Sequence, residues 1–141
     1  LGIHEVPDRL GTEKGKMVAD LQNLMALYDS LSVCKFSLFG GVKVKDLARW
    51  FEMVTGMEMD YKELLLAGER IFNVKRLLNF RWGVTPDMDI LPQRMLTMAK
   101  KEGLSKGNLP PLEKMMKQYY QARGWDASGG PDPNKRGELG I

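Results

Sequence analysis

Residues 60–80 read DYKELLLAGERIFNVKRLLNF, and the fold turns on this stretch. Asp60 followed by Glu63 has the form of a capping box, in which each side chain satisfies a backbone amide at a helix start. From Tyr61 to Phe80 the apolar positions are dense and fall nearly all round a helical wheel. A helix that is apolar on most sides has to be enclosed by others, so this one is predicted to be the central and most buried element. Glu69 and Arg70 lie inside the pattern, and charges enclosed there need ion-pair or hydrogen-bond partners.

Upstream, Thr12 is a good N-cap, and a helix is predicted from there to about Ser30. Met17, Val18, Leu21, Leu24, Met25, Tyr28 and Leu31 recur at helical intervals along it as one apolar stripe. Asp29 falls at the C-terminal end, where the helix dipole disfavours negative charge. A carboxylate placed there is either a solvated turn residue or one with a specific hydrogen bond to make, and the residues alone favour the first. Val33 to Phe39 is apolar and bounded by Gly40-Gly41, a buried loop or a short extended piece. It contains Cys34, the only cysteine, whose plainest reading is a small buried hydrophobe. A second helix over about Lys45 to Thr55 puts Leu47, Trp50, Phe51 and Val54 on one face and stops at Gly56.

Downstream, Gly83, Thr85-Pro86, Leu91-Pro92, Gly103 and Gly107 break up residues 81–109, leaving room for a short helix between Pro92 and Lys100. Pro110-Pro111 then suits the first turn of a fourth main helix carrying Leu112, Met115, Met116, Tyr119 and Tyr120, closed by Gly124. Ala127 to Ile141 holds four glycines and two prolines and reads as a surface tail. Leu1 to Gly11 reads as a loop, with His4 a solvated side chain rather than a ligand. No strand-like alternation of useful length occurs. The predicted class is all-α: one multihelical domain over residues 1–141, with about four main helices and long irregular connections.

Composition narrows the function classes. Apolar residues make up 43% of the 141 and charged residues 28%, a globular balance. The net charge is +3, but acidic and basic residues are interleaved with no basic block, which argues against nucleic-acid binding. The longest apolar run, Leu64 to Ala67, is far too short to span a membrane. One cysteine and no signal-peptide pattern set a cytoplasmic location as the expectation. An opening on Leu1 and ten methionines suit a piece of a larger protein. No nucleophile–base pair, phosphate-binding loop, dinucleotide fingerprint or zinc ligand set is present in the sequence.

Four segments carry a resemblance. Asp29-Ser-Leu-Ser-Val-Cys34-Lys35-Phe36, Gly68-Glu-Arg-Ile71-Phe-Asn73, Leu91-Pro92-Gln-Arg94 and Tyr119-Tyr120-Gln-Ala-Arg123-Gly124-Trp125-Asp126 together resemble the C-terminal region of the aldehyde ferredoxin oxidoreductases. The resemblance runs from about Thr12 to Ile141. It implies an enzyme that oxidises aldehydes to carboxylic acids and passes the electrons to ferredoxin. The family's cofactors are tungsten, or molybdenum, on two pterins beside a [4Fe-4S] cluster. Asp29 to Cys34 is similar to the second of the family's Asp-x-x-Gly-Leu-(Cys/Asp) pterin motifs, with Ser32 in place of Gly and Val33 in place of Leu. By that likeness Asp29 would hydrogen-bond a pterin, the backbone around Val33 would help cradle it, and Cys34 would be the fourth cluster ligand. Serine for glycine puts a Cβ near a ligand and is costly if the residue needs positive φ.

The family's N-terminal domain and its Cys-x-x-Cys-x-x-x-Cys run, the source of the other three cluster ligands, are not in these residues. One thiolate cannot hold a four-iron cluster. The isolated chain is therefore expected to be inactive and to carry no cofactor, its partners being the N-terminal domains of the same enzyme, ferredoxin and an aldehyde. A competing expectation is a non-catalytic helical interaction module that keeps the fold without the cofactors.

Overall fold

A computed structural model describes residues 8 and 10–141. Most of the expected leading loop, His4 included, lies outside the described residues. Six α-helices follow in order: α1 (Gly15–Ser30), α2 (Val44–Thr55), α3 (Tyr61–Arg81), α4 (Gln93–Thr97), α5 (Leu112–Arg123) and α6 (Pro133–Leu139). Single 3-10 turns occupy Lys35–Leu38 and Pro86–Met88. Among the described residues the only β pairings are isolated bridges, Lys100 with Lys106 and Trp125 with Pro131.

The capping box at the start of α3 forms as its sequence predicts. Asp60 Oδ1 accepts from the Lys62 and Glu63 amides at 2.7 and 2.9 Å, and Glu63 Oε2 accepts from the Asp60 amide at 2.7 Å. α3 is the hub, with α1 along one side and α2 and α6 also packed on it. The α1–α3 joint is made backbone to backbone at Gly68, where an added Cβ would stand 2.3 Å from the carbonyl oxygen of Asn23. Gly15 does the same for α1 and α5, since a Cβ there would lie 2.7 Å from the Gln118–Tyr119 peptide. The main apolar core gathers Leu24, Leu27 and Tyr28 of α1, Leu47 and Ala48 of α2 and Leu64 of α3.

Several expectations need correction. α3 is central but not the most enclosed helix: Val74 and Leu78 are 46% and 40% exposed, and α1 buries more of its residues. The described residues therefore leave part of the apolar pattern, at Val74 and Leu78, only partly covered. In α2 the inward stripe is Leu47, Ala48 and Phe51, while Trp50 and Val54 face out. Thr12 does not cap α1, which starts at Gly15 with Lys14 as its N-cap residue.

The carboxy-terminal stretch is no surface tail. Gly129, Gly130, Pro131 and Leu139 are buried, and Asp132 caps α6 by accepting from the Lys135 amide at 2.8 Å. The Asp-Pro start and the αL Gly140 are ordinary helix delimiters, and they outweigh the glycine content between them. Lys135 pairs with Glu69 of α3 at 3.2 Å, and Arg70 Nε donates to the Leu139 carbonyl at 2.6 Å. The two charges singled out on α3 thus find their partners in α6.

A candidate cofactor site at the end of the first helix

α1 ends in a Schellman closure. The Ser32 amide donates to the Asp29 carbonyl at 3.2 Å, and the Val33 amide donates to the Tyr28 carbonyl at 3.0 Å. This geometry demands a left-handed residue between helix and loop, and Ser32 supplies it with φ 55°. It is the only non-glycine residue with positive φ among those described; comparable closures fall on Gly41, Gly83, Gly124 and Gly140. Positive φ costs an L-residue roughly 1–2 kcal/mol. The Val33 side chain turns back onto the core, which anchors the closure.

The closure leaves two functional groups facing outward. Asp29 lies in the last turn of α1, exposed, and its carboxylate makes no hydrogen bond to a described residue. It sits at one end of a groove of about 250 Å³ shared with Leu21, Gln22, Met25, Phe72 and Lys75. Cys34 follows the closure as the N-cap residue of the Lys35–Leu38 turn, with a free, exposed thiol. The Val33 to Phe39 segment is therefore neither a buried loop nor a strand, and the reading of Cys34 as a buried hydrophobe falls. Phe36 and Phe39 beside it are 71% and 87% exposed. The Val33 amide, in contrast, donates to the Tyr28 carbonyl within the helix closure.

Among the described residues, no group of three or more His, Cys, Asp or Glu is arranged to hold a metal. The donor set on offer is one cysteine sulfur and one aspartate side chain. That set does not make a complete metal site among the described residues.

A second region was not legible beforehand. A cavity of about 600 Å³ opens between α1, α3, α5 and residues 88–91. Behind it lies a polar network in which Arg76 and Arg123 are both buried. Arg76 donates to both Asp89 carboxylate oxygens and, through Nε, to the Gly129 carbonyl at 2.8 Å. Tyr120 donates its hydroxyl to Asp89 at 2.5 Å. Burial pushes the Tyr120 hydroxyl up to about 12, reinforced by its hydrogen bond to the Asp89 carboxylate. Burial also opposes the charge on Asp89, but the hydrogen bonds from Arg76 and Tyr120 and the guanidinium charge prevail and hold the carboxyl below its usual range. Arg123 spans α1 and α5, donating to Gln22, Asn23 and the Ala19 carbonyl, with its guanidinium 3.9 Å above the Phe72 ring. Trp125 Nε1 donates to Asn73 at 2.7 Å. Four of these residues, Asn73, Tyr120, Arg123 and Trp125, stand inside the segments that carry the resemblance. Arg76 and Asp89 stand outside them, and no local pattern pairs them.

Comparison with known proteins identifies the family. The family model for aldehyde ferredoxin oxidoreductase, domains 2 and 3, matches residues 2–141. The chain belongs to this family. The tungsten-containing aldehyde ferredoxin oxidoreductase of Pyrococcus abyssi is 36% identical over 136 residues, which is 96% of this chain and 22% of the relative. The enzyme of the same name from Pyrococcus furiosus is 37% identical over 139 residues, 98% of this chain and 22% of the relative. Thermococcus kodakarensis has another at 36% identity, with 96% and 22% covered. The chain thus spans about a fifth of the length of the curated aldehyde ferredoxin oxidoreductases it matches. No helix among the described residues is long and apolar enough to cross a membrane.

Proposed function

We propose that this chain is the C-terminal, cofactor-contacting part of an enzyme that oxidises aldehydes to carboxylic acids with ferredoxin as electron acceptor. In this reading Asp29 accepts hydrogen bonds from a pterin, and Cys34 supplies the fourth thiolate of a [4Fe-4S] cluster whose other ligands lie in the N-terminal domains. The observation that supports it most is the conformation of Ser32. Its left-handed geometry stands where the family motif has glycine, so the motif is a helix-closing turn that presents the residues on either side of it.

Each residue has a distinct physical task. The Asp29 carboxylate offers charge-assisted acceptance at a helix end that gives it no partner of its own, so its hydrogen-bonding capacity is available to a ligand. The Ser32 closure fixes the path from Asp29 to Cys34, so both groups are placed by backbone hydrogen bonds rather than by flexible side chains. Bound between these groups and the rest of the enzyme, a tungsten or molybdenum pterin would take the two electrons of aldehyde oxidation and the cluster would relay them singly. Cys34 acts as ligand and electron conduit, and no residue of this chain is assigned proton transfer.

The test is Asp29→Asn in the full-length enzyme, with pterin and metal content as the readout. Asparagine keeps the shape but turns one acceptor oxygen into a donor, which should cost on the order of 2–4 kcal/mol of cofactor binding. Depleted pterin and tungsten are expected. Full occupancy in that variant would return Asp29 to the role of a solvated turn residue.

A further inference from the structure

We propose that the cavity between α1, α3 and α5 is a binding site for an amphipathic anion, an aliphatic chain ending in a carboxylate, with Lys75 and Asn79 of α3 receiving the head group. The proposal does not require the roles of Asp29 and Cys34, although Lys75 also lines the groove that Asp29 lines.

The cavity has both apolar and polar lining. Val18, Phe72, Leu91, Leu112, Met115 and Met116 make apolar walls contributed by three helices and a loop. Its volume of about 600 Å³ lies in the range of small-molecule sites. Methionine side chains from α5 can adjust to chains of different length, because the thioether has several soft torsions. Its polar lining includes Lys75, Arg76 and Asn79 of α3, together with Lys14, Gln22 and Asp89.

These groups are not equivalent. Arg76 and Asp89 neutralise each other in the network described above. Lys75 is exposed, and neither its ammonium nor the Asn79 amide bonds to a described residue. They are four residues apart on α3, so they are neighbours on one helix face, within reach of a single carboxylate. With Arg76 and Asp89 offsetting each other, Lys75 leaves the α3 side of the cavity with an excess of positive charge. An uncharged chain would fill the apolar part but leave those donors to water. A carboxylate satisfies both parts, and its charge selects it over the alcohol of equal length.

The experiment compares decanoate with decanol on the 141-residue chain by calorimetry and by chemical-shift changes in α3 and α5. Lys75→Glu and, as an off-site control, Lys62→Glu are tested beside the wild type. Saturable one-to-one binding is expected, with decanoate bound several-fold more tightly than decanol. Lys75→Glu should weaken decanoate about tenfold, since it replaces one exposed ion pair with a repulsion, and should leave decanol and the Lys62→Glu variant unchanged. Met116→Trp, which fills the apolar end, should abolish both. The ligand comparison on the wild type needs no variant to fold. Equal affinity for decanoate and decanol, no saturable binding, or shifts that map outside the cavity would each overturn the proposal.

Discussion

Replacing Gly68 by alanine should loosen the joint between α1 and α3. The Cβ would arrive 2.3 Å from the Asn23 carbonyl oxygen and 3.1 Å from its carbon, and both are backbone atoms that no rotamer change can move. An ordinary carbon–oxygen contact is about 3.3 Å, so the helices must part by roughly 1 Å. That separation reaches Leu24, Leu27 and Leu64, which pack across the same joint. Overpacking of this kind costs up to about 3 kcal/mol. Alanine regains about 1 kcal/mol of helix propensity, leaving a net loss of about 2 kcal/mol. For a domain this size that is roughly an 8 °C fall in melting temperature. Gly137→Ala provides the control. Gly137 lies within α6, and a Cβ there meets nothing within 4 Å, so the same substitution should stabilise by up to about 1 kcal/mol. Urea and thermal unfolding followed by helical circular dichroism give both numbers. If Gly68→Ala were as stable as wild type, the backbone-to-backbone approach of α1 and α3 would be refuted.

Four further outcomes follow from the same geometry. Ser32→Gly should stabilise the chain by up to about 1 kcal/mol in urea melts, because glycine accepts φ 55° without strain and loses only part of that gain to chain entropy. A destabilised variant would mean that the serine side chain holds the closure. Asp29→Asn should leave the melting temperature of the isolated chain unchanged or slightly raised, since it removes a charge that the end of α1 disfavours; a clear fall would reveal a structural partner. Cys34→Ala should cost the isolated chain less than about 0.5 kcal/mol, its side chain being exposed, while the full-length enzyme should lose cluster iron; an unaltered cluster there would exclude Cys34 as a ligand. Raised to about 12 when folded, the Tyr120 hydroxyl contributes stability that is present below pH 10 and lost as the pH climbs toward 12; Tyr120→Phe should remove that alkaline step from the stability profile, and an unchanged step would place it elsewhere.

Local chemistry alone set the positions of most helices. The Asp60–Glu63 box starts α3 and Gly56 and Gly124 end α2 and α5 because caps are decided by a few neighbouring residues, and those readings hold without the rest of the chain. The motif at Asp29 to Cys34 was read from the family resemblance rather than from local chemistry, and its one irregular residue, Ser32, marks the spot where the backbone turns left-handed. Three things were not legible. The facing of α2 was misjudged because Trp50 and Val54 share a stripe with residues that do point inward, and only the position of α3 decides between faces. The exposure of Cys34 depends on a 3-10 turn rather than on the apolar character of its neighbours. Arg76, Asp89, Tyr120 and Gly129 meet across 53 residues of sequence, and Arg123 reaches Ala19 and Asn23 across 104 and 100. A buried guanidinium is tolerable only where several acceptors converge, and convergence over such separations is made by helix packing, at Gly15 and Gly68, rather than by any local pattern.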